Sequence, residues 1–253
     1  MHGAALLLAV AGCGRELTRE QQVLLTSAES SFERAWYDAA INDASRFLAQ
    51  VDSRPEMARA LYVRGMSYAQ NGKRDQAYTD LQNATRVPGD EDTVWRAYVV
   101  LGTLSFEEQR WERAGEFLRA AAQRMPAAPP KDTVLWRLGV CYERTGQWSA
   151  ARTTQAQLAR EFPASPHAPS VQRRKALQPS HFSVQCGVFN GEANAERLKA
   201  LLLGHGLPAF IEPEPYDRGR RYVVLVGRFG TREEAELELG RVRQHVRDAI
   251  LWP

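Results

Sequence analysis

The chain has 253 residues, 44% hydrophobic, 25% charged and 9% aromatic, with a formal net charge of +3. That balance excludes a disordered, collagen-like or multi-span membrane protein, and the charge is too mild for a dedicated nucleic-acid binder. The length allows one or two domains.

Residues 4–12 read AALLLAVAG, and Cys13 follows. The run is too short to span a bilayer and has the length of a secretory h-region. Val10-Ala11-Gly12-Cys13 resembles the lipobox of bacterial lipoproteins, although only Met1, His2 and Gly3 stand where such signals carry basic residues. The resemblance implies that residues 1–12 are a signal peptide and that Cys13 is lipidated. The mature chain then begins with a short segment, 13–20, tethered to a membrane facing the periplasm. Gly14 after the cysteine goes, in enterobacterial lipoproteins, with the outer membrane rather than the inner. The other two cysteines, Cys141 and Cys186, sit among apolar residues and read as small buried hydrophobes.

Residues 21–168 are periodic. Ala28, Gly65, Gly102 and Gly139 recur at one spacing, and Ala40, Ala77, Ala114 and Ala151 repeat it; the common step is 37 positions. Within the fourth unit, Leu135, Leu138, Gly139 and Tyr142 form the apolar stripe of a helix. Gly146 breaks that helix, Trp148, Ala151 and Leu158 mark a second, and Pro163 closes it. The small residues are expected where two antiparallel helices approach closely.

Leu135, Leu138-Gly139, Tyr142, Gly146, Trp148, Ala151 and Pro163 resemble the tetratricopeptide repeat (TPR). The resemblance implies four helical hairpins stacked as a solenoid, three residues longer per unit than the family, with the surplus in loops such as AAPPKD and VPGDED. Such arrays bind protein segments on a concave face lined by the first helix of each unit. Arg59, Tyr62, Arg96, Phe106, Trp136 and Arg144 are the candidates for that groove. Residues 169–180 read as a cap and linker, with Val171, Ala176 and Leu177 available to shield the last repeat.

From residue 181 to 253 the period changes. Phe182–Cys186 alternates apolar and polar, the spacing of a half-buried strand. Glu192–Leu203 has helical spacing ending at Gly204 and Gly206, and Ala209–Ile211 and Tyr222–Val226 read as strands joined through Asp217-Arg218-Gly219. Thr231 begins a second helix with Glu233 and Glu234 in its first turn, and Ala249–Trp252 is a last strand. The predicted fold is a ferredoxin-like βαββαβ domain with both helices on one face, following an all-α repeat region.

Val184-Gln185-Cys186-Gly187-Val188-Phe189, Asn194-Ala195-Glu196 with Leu198, Gly206-Leu207-Pro208-Ala209 and Tyr222–Phe229 resemble the SPOR (sporulation-related repeat) domain, in order and at its spacing. Val223 stands where the family has Arg, Arg228 where it has Pro, and Val188 where a small or hydroxyl residue is common. The resemblance implies binding of peptidoglycan glycan strands stripped of stem peptides, on the sheet face without helices. Alternation puts Ser183 and Gln185 on that face, and Val223 and Leu225 form a set opposite Tyr222, Val224 and Val226, so an apolar strip facing solvent is expected. The candidate glycan residues are Ser183, Gln185, Arg221, Tyr222, Val223, Leu225, Arg228 and Trp252. Acidic and basic side chains balance in this region, which suits a neutral polymer rather than a polyphosphate.

The five histidines, His2, His167, His181, His205 and His245, show no metal-ligand spacing, and no nucleophile or phosphate-loop motif occurs. The expectation is a non-enzyme without metal or cofactor. It would hold denuded glycan with its SPOR domain and recruit an envelope protein with its repeats, in cell division or envelope maintenance. The rival expectation is a repeat scaffold for outer-membrane protein assembly or secretion, its last domain making protein contacts.

Overall fold

In the computed structural model, residues 16–51, 55–88, 90–177, 179–216 and 219–252 are described. Cys13, the lipobox and the signal peptide lie outside them. The chain divides into two compact units, Met1–Asp90 and Glu91–Pro253.

The first unit holds helices α1 (Arg19–Glu33), α2 (Tyr37–Leu48), α3 (Pro55–Gln70) and α4 (Arg74–Ala84). The second holds α5 (Glu91–Glu107), α6 (Trp111–Arg124), α7 (Lys131–Arg144), α8 (Trp148–Glu161) and α9 (Ala168–Leu177), followed by β1 (Phe182–Phe189), α10 (Glu192–Gly204), β2 (Ala209–Tyr216), β3 (Gly219–Phe229), α11 (Arg232–Val242) and β4 (Ile250–Trp252). Helices α2, α4, α6 and α8 start in step with the sequence repeat. Each hairpin turns through a left-handed residue two positions earlier: Ala35 (φ 60°), Gly72 (φ 73°), Gln109 (φ 57°) and Gly146 (φ 70°). Glycine adopts that backbone without steric cost, and Ala35 and Gln109 hold it at about 1 kcal/mol each.

The small-residue column seen in the sequence is a set of helix crossings. A Cβ on Gly65 would meet Leu81 Cγ at 2.9 Å, and one on Gly102 would meet Leu118 Cγ at 2.7 Å. In the first hairpin, Ala28 and Ala44 share one fully buried cluster. In the fourth, Gln155 takes the place of Leu118, and a Cβ on Gly139 would sit 3.5 Å from its Cγ. Arg64 ties α3 to α4 through a bidentate pair with Asp80 (2.6 and 2.8 Å) and to α2 through Ser45 Oγ (3.1 Å).

Helix α9 closes the repeats. Its Val171 is buried with Leu135 and Leu158. Its Arg174 pairs with Glu143, whose carboxylate also accepts from Gln155 Nε2 at 2.7 Å. Burial pushes the Glu143 carboxyl above its ordinary value of 4.5, against the opposing pull of Arg174. A raised carboxyl is more protonated folded than unfolded, so its contribution is complete below the unfolded pKa and is lost as pH rises through the folded one. Urea melts at pH 4.5 and pH 7.5 are therefore expected to show the wild type losing stability relative to Glu143→Gln on the way up. Parallel pH profiles for the two proteins would refute this assignment.

The four strands form one antiparallel sheet in the order β2-β3-β1-β4. Val184, Cys186, Ala209, Val224 and Val226 face α10 and α11 and pack on Ala195, Leu202 and Val242. Thr231 and Glu234 form a reciprocal capping box at the start of α11. Three strands outrun their expected bounds, β1 continuing from Cys186 to Phe189. β2 continues through Pro213 and Pro215, as an edge strand can. β3 continues through Gly227 to Phe229, because Gly227 at φ 71° kinks the strand without ending it.

Candidate functional site

The sheet face away from α10 and α11 is read from register. Ala209 and Ile211 pack on the helix-side core, so Phe210, Glu212 and Glu214 alternate onto the open face. Phe210 lies opposite Leu225, Leu225 opposite Gln185, and Gln185 opposite Ile250; Ser183 lies opposite Trp252. The candidates Ser183, Gln185, Val223, Leu225 and Trp252 therefore share one face.

Their exposure differs from the expectation. Val223 is 3% exposed, and Leu225 and Ser183 are fully buried. The apolar strip is not turned to solvent. Ser183 instead donates its hydroxyl hydrogen to the Gly227 carbonyl at 2.7 Å, which makes it a tie between β1 and the Gly227 kink. Next to this strip, α9 packs on β2. Arg173 of α9 reaches Glu214 on the open face (3.5 Å). Tyr222 is also corrected: it packs on the helix-side core. Arg221 lies 3.2 Å from the ring centroid of Tyr216, at the β2–β3 hairpin end and away from Ser183.

The rest of the face stays open. Gln185 and Trp252 are half-buried, and Ile250 is 50% exposed. Beside them a cluster forms that the sequence reading did not assemble. The His181 ring lies 5.9 Å from Trp252 and 6.1 Å from Phe210, and the Arg228 guanidinium sits 4.4 Å over Phe210. Burial, with the charge of Arg228 second, lowers the His181 pKa, so the ring is neutral at pH 7. Flat rings beside an amide and a guanidinium suit a sugar's apolar face and hydroxyls. Alternation from Ser183 places His181 on this face, and alternation from Ala209 does the same for Phe210; the signal was in the strands' period.

In the repeats, three of the six groove candidates fall together. Phe106 meets Trp111 edge-on at 5.2 Å and Trp136 at 6.2 Å, and Trp136 stacks on His167 at 4.6 Å. Arg144 lies over Trp111 and Arg137 over Phe106, with Arg137 donating to Thr103 Oγ1 at 2.7 Å. Burial, then the charges of Arg232 and Arg174, holds Arg144 below its usual range. Arg59 pairs with Glu29 at 2.9 and 2.8 Å, and Tyr62 packs on the Ala28 cluster, both in the first unit. Arg96 lies over the neighbouring Trp95 ring. His167 and Arg137 were missed because these contacts, Thr133 to His167 and Thr103 to Arg137, run 34 residues apart, off the 37-residue grid.

Among the described residues no group of three or more His, Cys, Asp or Glu gathers as metal ligands, and no helix is long and apolar enough to cross a membrane. Cys141 and Cys186 are free thiols, pushed by burial up to about 12 and about 11, so they are protonated at neutral pH.

Helical hairpins followed along the chain by a βαββαβ sheet define a helical-repeat protein with an α+β domain after the repeats. Residues 178–252 match the SPOR domain family, residues 133–165 match one tetratricopeptide repeat model, and residues 25–91 and 64–132 match another. The chain is a tetratricopeptide-repeat protein carrying a SPOR domain after its repeats. Among solved structures it is similar to MamA 41-end from Desulfovibrio magneticus RS-1, with 16% identity, a TM-score of 0.51, and 64% of this chain and 88% of that one covered. A MamA RS-1 ArsTM double mutant gives 16% identity and 0.51, over 63% and 87% of the two chains. Another MamA crystal structure gives 17% and 0.50, over 63% and 84%. These likenesses concern the fold alone. Comparison with curated proteins finds no match.

Proposed function

We propose that this protein is a non-catalytic binding protein of the bacterial cell envelope, its SPOR domain holding denuded peptidoglycan glycan and its repeats holding a protein partner. The observation that carries the reading is the open part of the sheet face, where Gln185 and Trp252 stand beside the His181, Phe210 and Arg228 cluster. The Phe106–Trp136–His167 row, flanked by Arg137 and Arg144, is the surface offered to the partner. Lipidation at Cys13 would place both modules on the periplasmic side of a membrane, the outer one by the Gly14 criterion, in cell division or envelope maintenance.

Sedimentation of the full chain with amidase-treated and untreated sacculi tests the glycan half. Stronger pelleting with the treated wall is expected. Gln185→Ala and Trp252→Ala are each expected to weaken it about tenfold, the worth of one hydrogen bond or one stacked ring. Equal pelleting on both walls would reject the reading. One observation favours the rival, a scaffold for outer-membrane protein assembly or secretion: α9 already uses the β2 side of the open face as a protein contact. The rival expects both walls to be ignored and a barrel-insertion or secretion component to be crosslinked instead.

A further inference from the structure

Helix α9 has two partners on opposite sides. Arg174 and Val171 bind it to the last repeat, through Glu143 and the Leu135–Leu158 cluster. The adjacent Arg173 binds it to Glu214 on the open face of the sheet. A separate contact joins the repeat to β1: Trp148, the first residue of α8, packs on Phe182 with ring centroids 5.0 Å apart. On the face that carries Glu214, the β3 residues Val223 and Leu225 are buried.

The ion pair to the sheet is weaker than the ion pair to the repeat. The Arg174–Glu143 pair has its carboxylate buried and hydrogen-bonded a second time. The Arg173–Glu214 pair is 3.5 Å long with its arginine half exposed, a geometry that water screens strongly. The joint also carries an electrostatic cost. Arg144 on the repeat feels the like charge of Arg232 on the SPOR domain; the Arg232 guanidinium pairs with Glu236 through Nε at 2.8 Å, while its Nη1 is buried with no hydrogen-bond partner among the described residues. A buried donor left without a partner disfavours the docked arrangement. One firm side and one weakly held side describe a part that stays with the repeat and lets go of the sheet.

We propose that α9 is an intramolecular strap: docked on β2, it closes the β2–β3 half of the SPOR face to glycan, and glycan of more than a residue or two binds only when the strap lifts. The proposal rests on the glycan reading above and adds its regulation. Because glycan and strap exclude each other, linkage makes the effect reciprocal. A protein seated on the repeats that favours the lifted α9 raises glycan affinity, and bound glycan raises affinity for that protein.

The test locks the strap in the full chain. In a Cys13→Ser background, Arg173→Cys and Glu214→Cys are joined by a short disulfide-containing bis-maleimide and compared with the same chain before linking and after reductive cleavage. The native Cys141 and Cys186 are buried and protonated, so they do not compete. The locked chain is expected to sediment with amidase-treated sacculi at least tenfold more weakly than the unlinked chain, with binding restored on cleavage. Arg173→Glu, which turns attraction to Glu214 into repulsion at a half-exposed position, is expected to bind about threefold more tightly than wild type. Equal binding by locked and unlinked chains, or no gain from Arg173→Glu, overturns the strap and leaves the glycan reading standing. Loss of sedimentation in every form, wild type included, overturns the glycan reading and the strap with it.

Discussion

Gly227→Ala is expected to unfold the SPOR sheet selectively. Gly227 sits at φ 71°, where an L side chain costs about 1 kcal/mol. A Cβ there would lie 2.1 Å from Phe229 Cζ, a distance no side chain tolerates. The ring has little room to yield, because Phe229 packs in the helix-side core and pairs with Phe182. Overpacking of this kind adds about 1–3 kcal/mol. The kink also presents the carbonyl that Ser183 uses and an amide that donates to Pro208 O at 3.1 Å. The sum is about 3 kcal/mol against the domain, a large share of the 5–15 kcal/mol that holds ordinary domains folded. Hydrogen exchange resolves it: amides of β1 and β3 lose protection while those of α1–α4 keep theirs. A loss below about 1 kcal/mol in β3 would show that the ring moves freely.

The second large effect is a contrast at one repeat position. Gly102→Ala is expected to destabilise the α5–α6 hairpin by about 2 kcal/mol. Its new methyl meets Leu118 at 2.7 Å and the Leu118 backbone nitrogen at 3.3 Å, so side-chain motion alone does not clear it. Gly139→Ala is expected to stabilise by up to about 1 kcal/mol, since Gln155 leaves 3.5 Å and alanine is the better helix former. Thermal melts of the two variants should move in opposite directions. Movement in the same direction would refute the view that crossing partner, and not helix propensity, selects the glycine.

The same comparison shows how the sequence encodes the solenoid. At each crossing the pair keeps its summed volume small: Ala28 with Ala44, Gly65 with Leu81, Gly102 with Leu118, Gly139 with Gln155. A repeat read from one column alone looks like a glycine motif, and read from both it is a distance constraint between helices. That is why periodicity and residue size sufficed to locate the hairpins and the turn at Gly146, while the turns at Ala35 and Gln109, which lack glycine, left no such mark.

The strands of the SPOR domain were legible for a similar reason. A two-residue period assigns Val184, Val224 and Val226 to one face and Gln185, Val223 and Leu225 to the other, and the helices' apolar stripes say which face they cover. These are local properties, set by neighbours within a turn or a strand. What covers the opposite face is not local. Alternation gives Val223 and Leu225 the same signature whether water or protein lies above them, and α9 carries three consecutive cations, Arg173, Arg174 and Lys175, that read as part of a polar linker. Only the tertiary arrangement sends Arg173 to Glu214 and Arg174 to Glu143, and so converts an expected sugar platform into a half-covered one. Secondary structure and repeat register followed from the order of residues; the occupant of the open face was decided by how far apart in sequence two surfaces can lie and still bury each other.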